Sequence, residues 1–103
     1  MPYTHDGVKM LVRDILEHYG FQASVEQWIE ADPWRRLDVF GKCGSPAICK
    51  TRKVAVEVEN TSKMQKDLSS LVQSGCDLKF IVLLDRPYNI PPIPGIEVVY
   101  WED

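Results

Sequence analysis

The sequence lacks a long apolar run, and this shortage excludes a class of protein. No stretch approaches the roughly 20 apolar residues that a membrane-spanning helix needs. No basic segment followed by an apolar signal core opens the chain either. We therefore expect no membrane partner and a location in the cytoplasm.

Cysteine is also scarce, and its spacing excludes a familiar zinc site. The three cysteines are Cys43, Cys49 and Cys76, and none of them forms a CxxC pair. Reduced thiols are expected in a cytoplasmic chain, with a Cys43–Cys49 disulfide as the alternative.

The sequence also lacks a net positive charge. Twelve Lys and Arg stand against 15 Asp and Glu, which gives a net charge of −3. This balance argues against a protein that coats nucleic acid non-specifically. A local basic patch nevertheless exists, because six cations and one acid between positions 35 and 53 leave a charge of +5 there. The residues predicted to contact nucleic acid are Arg35, Arg36, Lys42, Lys50, Arg52 and Lys53.

What the sequence does contain is the pattern of an α/β domain. Its 103 residues and hydrophobic fraction of 45% are typical of one globular unit, and residues 1–103 are predicted to form a single domain. Apolar spacings of three and four predict helices over 4–19 and between Asn60 and Gly75. Alternation or apolar runs predict strands over 21–29, 34–41, 53–60, 78–85 and 96–101. The order predicts an antiparallel meander followed by a βαβ crossover, and therefore a mixed sheet flanked by helices.

Two carboxylates stand two residues apart on the third predicted strand, Lys53-Val54-Ala55-Val56-Glu57-Val58-Glu59-Asn60. A period of two places Glu57 and Glu59 on one face and the valines on the other. Burying two anions without a cation is costly, so the pair either faces solvent at a strand edge or holds a metal ion. A strand between a hairpin and a crossover should be central, which favours the metal site.

This element order and these acids resemble the PD-(D/E)XK nuclease superfamily, whose αβββαβ core carries an acid on its second strand and an acid-x-Lys triplet on its third. Asp38, in Arg36-Leu37-Asp38-Val39-Phe40-Gly41, matches the first acid, and Glu57, in Val56-Glu57-Val58-Glu59, matches the second. The resemblance covers about residues 4–85 and implies a restriction-endonuclease-like αβββαβ(β) core. Glu59 departs from the pattern, where lysine is usual, although some restriction endonucleases of the superfamily also carry an acid there.

The resemblance implies a metal-dependent endonuclease that hydrolyses phosphodiester bonds in DNA, with Mg²⁺ or Mn²⁺ as its cofactor. Asp38 and Glu57 would be direct ligands, because neighbouring strands about 4.8 Å apart bring both side chains within reach of one ion. The family suggests the Val58 carbonyl as a third ligand. Glu59 would accept a proton from a water on the ion or help to hold a second ion.

Other polar residues have weaker claims on the site. Lys63 and Lys66, early in the second helix, are predicted to contact the scissile phosphate, with a solvated helix surface as the alternative. The polar face of the first helix carries Lys9 and Glu17. Glu17 resembles an extra acid that some members of the superfamily place there, and it is a further candidate metal ligand. His5 and His18 lie near helix ends, where surface or capping roles are expected.

Three functional hypotheses stay open. A nuclease this small would cut a duplex as a homodimer, each subunit taking one strand. The glutamate at position 59 and the acidic net charge also fit a catalytically inactive nuclease-like module that binds nucleic acid or protein. The third hypothesis is an interaction domain built on the cysteine hairpin, with Trp28, Trp34 and Trp101 at its interface.

Overall fold

Two helices of ordinary length, one very short helix and five strands make up the part of the chain that the structure describes. The structure is a computed structural model, and it describes residues 4–29, 32–50, 52–85 and 90–101, without the side chains of residues 28, 29, 32–35 and 49. In chain order the elements are α1 (His5–His18), β1 (Phe21–Ile29), β2 (Asp32–Cys43), α2 (Pro46–Cys49), β3 (Lys53–Glu59), a 3₁₀ turn (Thr61–Lys63), α3 (Met64–Gln73), β4 (Leu78–Leu83) and β5 (Glu97–Tyr100).

The strands form one sheet in the order β1-β2-β3-β4-β5. The pairs β1/β2 and β2/β3 are antiparallel, whereas β3/β4 and β4/β5 are parallel. The prediction of an α/β fold with a mixed sheet flanked by helices is therefore confirmed. The last strand lies at the end of the sheet, as its short apolar pattern predicts.

The alternation along β3 supplies two hydrophobic clusters, one on each face of the sheet. The cluster that includes α1 contains Val8, Val12, Phe21, Val39, Val54, Val56, Val58 and Val82. The cluster that includes α3 contains Leu37, Ala55, Leu71, Cys76, Ile81, Leu83 and Ile96. Both faces of β3 are covered, so Glu57 is only 3% exposed. The alternative of a solvent-facing strand edge is therefore wrong for Glu57.

Local signals set the ends of the two longer helices. The Thr4 hydroxyl accepts a hydrogen bond from the Gly7 N–H and caps α1, and Gly20 follows the helix with a φ of +92°. Gly75, with a φ of +67°, follows α3. A residue far along the chain holds the turn before α3. Asp85 Oδ1 accepts hydrogen bonds from the Thr61 N–H at 2.9 Å and the Thr61 hydroxyl at 2.8 Å.

The hairpin tip between β2 and β3 contains more regular structure than the predicted strand bounds of 34–41 and 53–60 indicate. β2 continues to Cys43, and the tip contains the four-residue helix α2, which begins with a proline. Cys43 is disulfide-bonded, so the expected reduced thiol is wrong at that position. Cys76 is a buried free thiol.

The side chains of β2 do not alternate regularly between the two faces of the sheet. Leu37 packs in the α3-side cluster and Val39 in the α1-side cluster, although simple alternation predicts one face for both. The pleat is irregular nearby, because Glu26 of the neighbouring strand has a φ of +60° rather than an extended backbone.

No helix within the described ranges is long and apolar enough to cross a membrane.

Candidate metal centre

Side chains on the α3 side of the sheet form rows that cross β1, β2 and β3. The ladder pairing gives a first row, Gln22-Lys42-Lys53, and a second row, Ser24-Phe40-Ala55. Two residues further along, beyond the last regular β2–β3 pair, come Glu26, Asp38 and Glu57, whose side chains line one cleft. The three strands therefore bring three carboxyl groups together at the same level of the sheet.

Asp38 and Glu57 are held beside each other by the backbone of the opposite strand. The Asp38 N–H donates to Glu57 Oε1 at 3.2 Å, and the Val58 N–H donates to Asp38 Oδ2 at 2.8 Å. The regular β2–β3 pairing ends at Val39 and Val56, so these carboxylates accept hydrogen bonds just beyond the ladder. Both side chains are thus fixed on rigid strands, as the ligands of one ion need to be.

Asp67 of α3 completes a cluster of three acids. One carboxylate oxygen from each of Asp38, Glu57 and Asp67 lies within 4.8 Å of the other two. Asp67 is 6% exposed, and its Oδ2 has no hydrogen-bond partner in the described part of the chain. Sequence reasoning missed this residue because it lies outside the strand motif. A signal did exist, since Asp67 interrupts the helical stripe of Met64, Leu68 and Leu71.

The surroundings of two of these acids disfavour their charged forms. Burial, followed by the charges of Asp38 and Asp67, raises the pKa of Glu57 to about 9. Burial, followed by the charges of Asp38 and Glu59, raises the pKa of Asp67 to about 7. A nearby cation would oppose both pKa shifts, because it favours the ionised carboxylates.

A buried lysine of α1 lies against the cluster. Lys9 Nζ is 3.3 Å from Asp38 Oδ1, 2.8 Å from Glu26 Oε1 and 3.7 Å from Asp6 Oδ1, and the lysine side chain is 6% exposed. Burial lowers the pKa of Lys9, but its hydrogen bonds to Glu26 and Asp38 and their charges outweigh burial and raise it. The helical pattern had assigned Lys9 to the polar face, and nothing in that pattern shows where the face points.

His5, for which a surface or capping role was expected, also reaches the acids. Its Nε2 donates to the Val58 carbonyl, which is the group that the nuclease resemblance suggests as a metal ligand. The same nitrogen lies 3.7 Å from Asp38 Oδ2. Because a carbonyl only accepts hydrogen bonds, this contact requires the hydrogen to be on Nε2.

The three acids of the cluster, Glu26 and Lys9 line a cleft of about 270 Å³. The lining residues are Lys9, Glu26, Arg36, Asp38, Glu57, Glu59, Lys66, Asp67 and Ser70. Five of them are acids and three are cations, so the lining carries a formal charge of −2 when every group is ionised. Among the residues predicted from the sequence, the cleft brings together Asp38, Glu57, Glu59, Lys66 and Arg36.

Glu59 lines the cleft without joining the three-acid cluster. Its Oε1 accepts a hydrogen bond from the Asn60 N–H at 3.0 Å, and the side chain is half-buried. Lys63 ends the 3₁₀ turn as an exposed residue and is not among the lining residues. Glu17 lies on the exposed side of α1, with Oε1 4.0 Å from Arg13 Nε, and is not a lining residue either.

The predicted nucleic-acid contacts divide between the cleft and the hairpin. Arg36 lines the cleft, and its Nη1 lies 2.8 Å from Glu26 Oε2. The other cations with described side chains are exposed at or near the hairpin tip, and they are Lys42, Lys50, Arg52 and Lys53. The Arg35 side chain lies outside the described residues.

No family model, curated protein or solved structure matches this chain. The function is therefore inferred from the geometry and chemistry of the cleft.

Proposed function

We propose that the chain is a metal-dependent endonuclease that hydrolyses phosphodiester bonds in DNA, with Asp38, Glu57 and Asp67 holding Mg²⁺ or Mn²⁺. The observation that carries the proposal is the convergence of three carboxylates within 4.8 Å, two of them almost fully buried. Buried anions are costly unless a cation joins them. Ligands that are all oxygen suit Mg²⁺ and Mn²⁺ better than softer metals.

The donor set fits a divalent ion in charge as well as in chemistry. Two positive charges would neutralise the formal −2 of the cleft lining. They would also supply a partner for Asp67 Oδ2, which lacks a hydrogen bond within the described residues. When bound, such an ion stabilises the negative charge that develops on a phosphate and lowers the pKa of a water molecule.

The remaining cleft residues supply the proton transfer and hold the phosphate. Glu59 is half-buried at the cleft and accepts the proton of the attacking water, whose oxygen forms a bond to phosphorus. The bond from phosphorus to the leaving sugar oxygen breaks, and that oxygen takes up a proton from solvent water to leave an alcohol and a phosphate monoester. Lys66, exposed at the rim, donates to a phosphate oxygen.

The cations of the hairpin favour a long polyanion over a small phosphate ester. Lys42 and Lys53 are direct cross-strand partners, and like charges in that position repel each other. Lys53 lies on the same face of β3 as Glu57, four residues or about 14 Å along the strand. We therefore place the DNA backbone along this face, with the lysine pair contacting a phosphate away from the cut.

The arrangement of acids also supports a restriction-endonuclease-like core for this chain. Asp38 and Glu57 lie on the adjacent central strands β2 and β3, between α1 and α3, as the resemblance implies. The described residues contain one cluster of three acids that could hold a metal ion. Cleavage of both strands of a duplex would then need two copies, and we propose a homodimer.

A cleavage assay tests this function directly. Purified protein is incubated with supercoiled, linear and branched DNA in Mg²⁺, Mn²⁺ or EDTA. We expect metal-dependent cleavage that falls roughly 100-fold or more in Asp38→Ala and Glu57→Gln, and that persists in Asp14→Asn, which changes an exposed acid of α1. Failure of the wild type to cleave, or cleavage that survives both changes, would rule out the proposal.

The contact between His5 and the Val58 carbonyl favours a second candidate, a non-catalytic module that binds nucleic acid. In that case the imidazole occupies a position that an ion would need, and Glu59 stands where the nuclease pattern has lysine. Calorimetry separates the two candidates. Heat on Mn²⁺ addition that Glu57→Gln abolishes supports the metal centre, whereas DNA binding without any such heat supports the module.

A further inference from the structure

Lys9 of α1 is almost fully buried, which is unusual for a lysine on a helix. Lysine side chains are rarely buried, since the ammonium group loses its hydration. Here the side chain is 6% exposed and lines the cleft between α1 and the edge of the acid cluster. Its neighbours on the helix, Val8 and Val12, pack in the hydrophobic cluster on that side of the sheet. The packing of α1 therefore sets the position of the ammonium group.

Glu26 holds that ammonium group and has an unusual backbone conformation. It has a φ of +60° within β1, a left-handed conformation that is uncommon for residues other than glycine. Such strain often accompanies a functional constraint. Its two carboxylate oxygens contact different cations at 2.8 Å, Oε1 with Lys9 Nζ and Oε2 with Arg36 Nη1. Glu26 thereby holds Lys9 beside Arg36 in the lining of the cleft.

The contacts of Lys9 leave one of its donors for a ligand. An ammonium group has three N–H donors. One donates to Glu26 Oε1 at 2.8 Å, and a second faces Asp38 Oδ1 at 3.3 Å. Asp6 Oδ1, at 3.7 Å, is beyond hydrogen-bonding distance. Among the described residues, the third donor thus has no protein acceptor, and the cleft that Lys9 lines is where an acceptor would enter.

We propose that Lys9 is a catalytic residue whose third N–H donates to a non-bridging oxygen of the scissile phosphate, and that Glu26 is the positioning residue that acts through it. This proposal rests on the nuclease function proposed above. A donor that is already oriented stabilises developing charge without reorganisation. Lys66 lines the same cleft, but its exposed side chain is not held by a comparable pair of contacts among the described residues.

Substitutions of Lys9 and Glu26 separate this role from a purely structural one. Lys9→Met keeps the length of the side chain, Lys9→Arg keeps its charge, and Lys79→Met makes the matched change on β4, outside the cleft. For each variant the melting temperature, the Mn²⁺ dissociation constant by calorimetry, and the kcat and KM for an oligonucleotide duplex are measured.

We expect Lys9→Met to lower kcat roughly 100-fold while its Mn²⁺ affinity is unchanged or tighter, because Asp38 is no longer shared with an ammonium group. Lys9→Arg should recover part of kcat. Glu26→Gln should lower kcat roughly tenfold with little change in KM, and Lys79→Met should match the wild type. Cleavage by Lys9→Met within twofold of the wild type overturns the proposal. If Lys9→Met does not fold, unaltered kcat in both Lys9→Arg and Glu26→Gln overturns it.

A binding measurement distinguishes failure of this proposal from failure of the nuclease function. A 5′-phosphorylated oligonucleotide is titrated against the wild type and Lys9→Met in Ca²⁺ and in EDTA. A wild type that does not cleave but binds at least tenfold more tightly than Lys9→Met in Ca²⁺ refutes the nuclease function and retains the phosphate contact. Equal affinities in a wild type that does not cleave refute both the nuclease function and the phosphate contact.

Discussion

Asp67 of α3 and Glu57 of β3 each place a carboxylate oxygen within 4.8 Å of the other, although both side chains are almost fully buried. Two such groups cannot both ionise in an apolar setting without a compensating cation. The pair therefore links the stability of the fold to protons and to metal ions.

The metal-free protein should lose stability as the pH rises. The folded-state pKa values of Asp67, about 7, and Glu57, about 9, lie above the ordinary carboxyl values of 3.8 and 4.5. The stabilisation from a raised pKa is complete below the unfolded value and is lost as the pH rises through the folded value. We expect the melting temperature in EDTA to fall between pH 5 and 9.

Glu57→Gln should remove much of this pH dependence, because the amide does not ionise. At pH 8 the variant should melt roughly 4–8 °C above the wild type for each kcal/mol of relieved charge burial. Asp14→Asn, an exposed position on α1, is the control and should follow the wild-type curve. A wild-type melting temperature that stays constant from pH 5 to 9 in EDTA would contradict the prediction.

Divalent ions should restore the stability that is lost at high pH. At a free Mn²⁺ concentration of 100 times its dissociation constant, the gain is about 2.7 kcal/mol. Binding should also release protons at pH 7 to 8, since the carboxylates must ionise to coordinate the ion. Thermal melts and calorimetry in two buffers of different ionisation enthalpy measure both effects. Asp67→Asn should reduce both, and an undiminished response in that variant would exclude Asp67 as a ligand.

The lysine pair across β2 and β3 should contribute to DNA binding but not to metal binding. Lys42→Gln removes one charge of a directly opposed pair, so the protein should be unchanged or slightly more stable. Its DNA affinity should fall, and the slope of log K against log salt should decrease by about 1. Fluorescence anisotropy at several salt concentrations measures this slope. Equal slopes for Lys42→Gln and the wild type would show that Lys42 does not contact a phosphate.

Asp85 should stabilise the start of α3 from a distant part of the chain. Asp85→Ala removes the acceptor of both Thr61 hydrogen bonds, and by analogy with helix caps it should cost about 1 kcal/mol of unfolding free energy. Chemical denaturation of the variant measures this loss. Asp85→Asn keeps an oxygen acceptor and should lose less. If both variants are as stable as the wild type, the contact does not stabilise the fold.

A side chain at Gly41 should destabilise the protein, because neighbouring side chains of β1 and β3 lie close to this position. A Cβ there would lie 2.8 Å from Val54 Cγ1 and 3.2 Å from Phe21 Cβ. Gly41→Ala should therefore cost about 1–3 kcal/mol through overpacking. Because Val54→Ala removes the closest atom, the double variant should be more stable than the sum of the two single effects. Simple additivity in the double-mutant cycle would show that this clash is relieved elsewhere.

Local periodicity was sufficient to find most of the elements and part of the site. The period-two pattern around Val54, Val56 and Val58 defines a central strand, and the strand order then places Asp38 beside Glu57. Neighbouring strands lie at a fixed spacing, so adjacency in the sheet implies proximity of side chains on the same face. The short helix α2 was missed because four residues are too few to show a helical period.

The sequence by itself determined the α/β order of elements, the central position of β3, and the placement of Glu57 and Glu59 on one face of that strand. Only the tertiary structure decided which helix residues join them. Asp67 and Lys9 line the cleft, and His5 lies beside Asp38, because of the rotation and placement of α3 and α1 over the sheet. Those depend on packing between distant parts of the chain. A helical period shows which residues share a face, but it does not show what that face will meet.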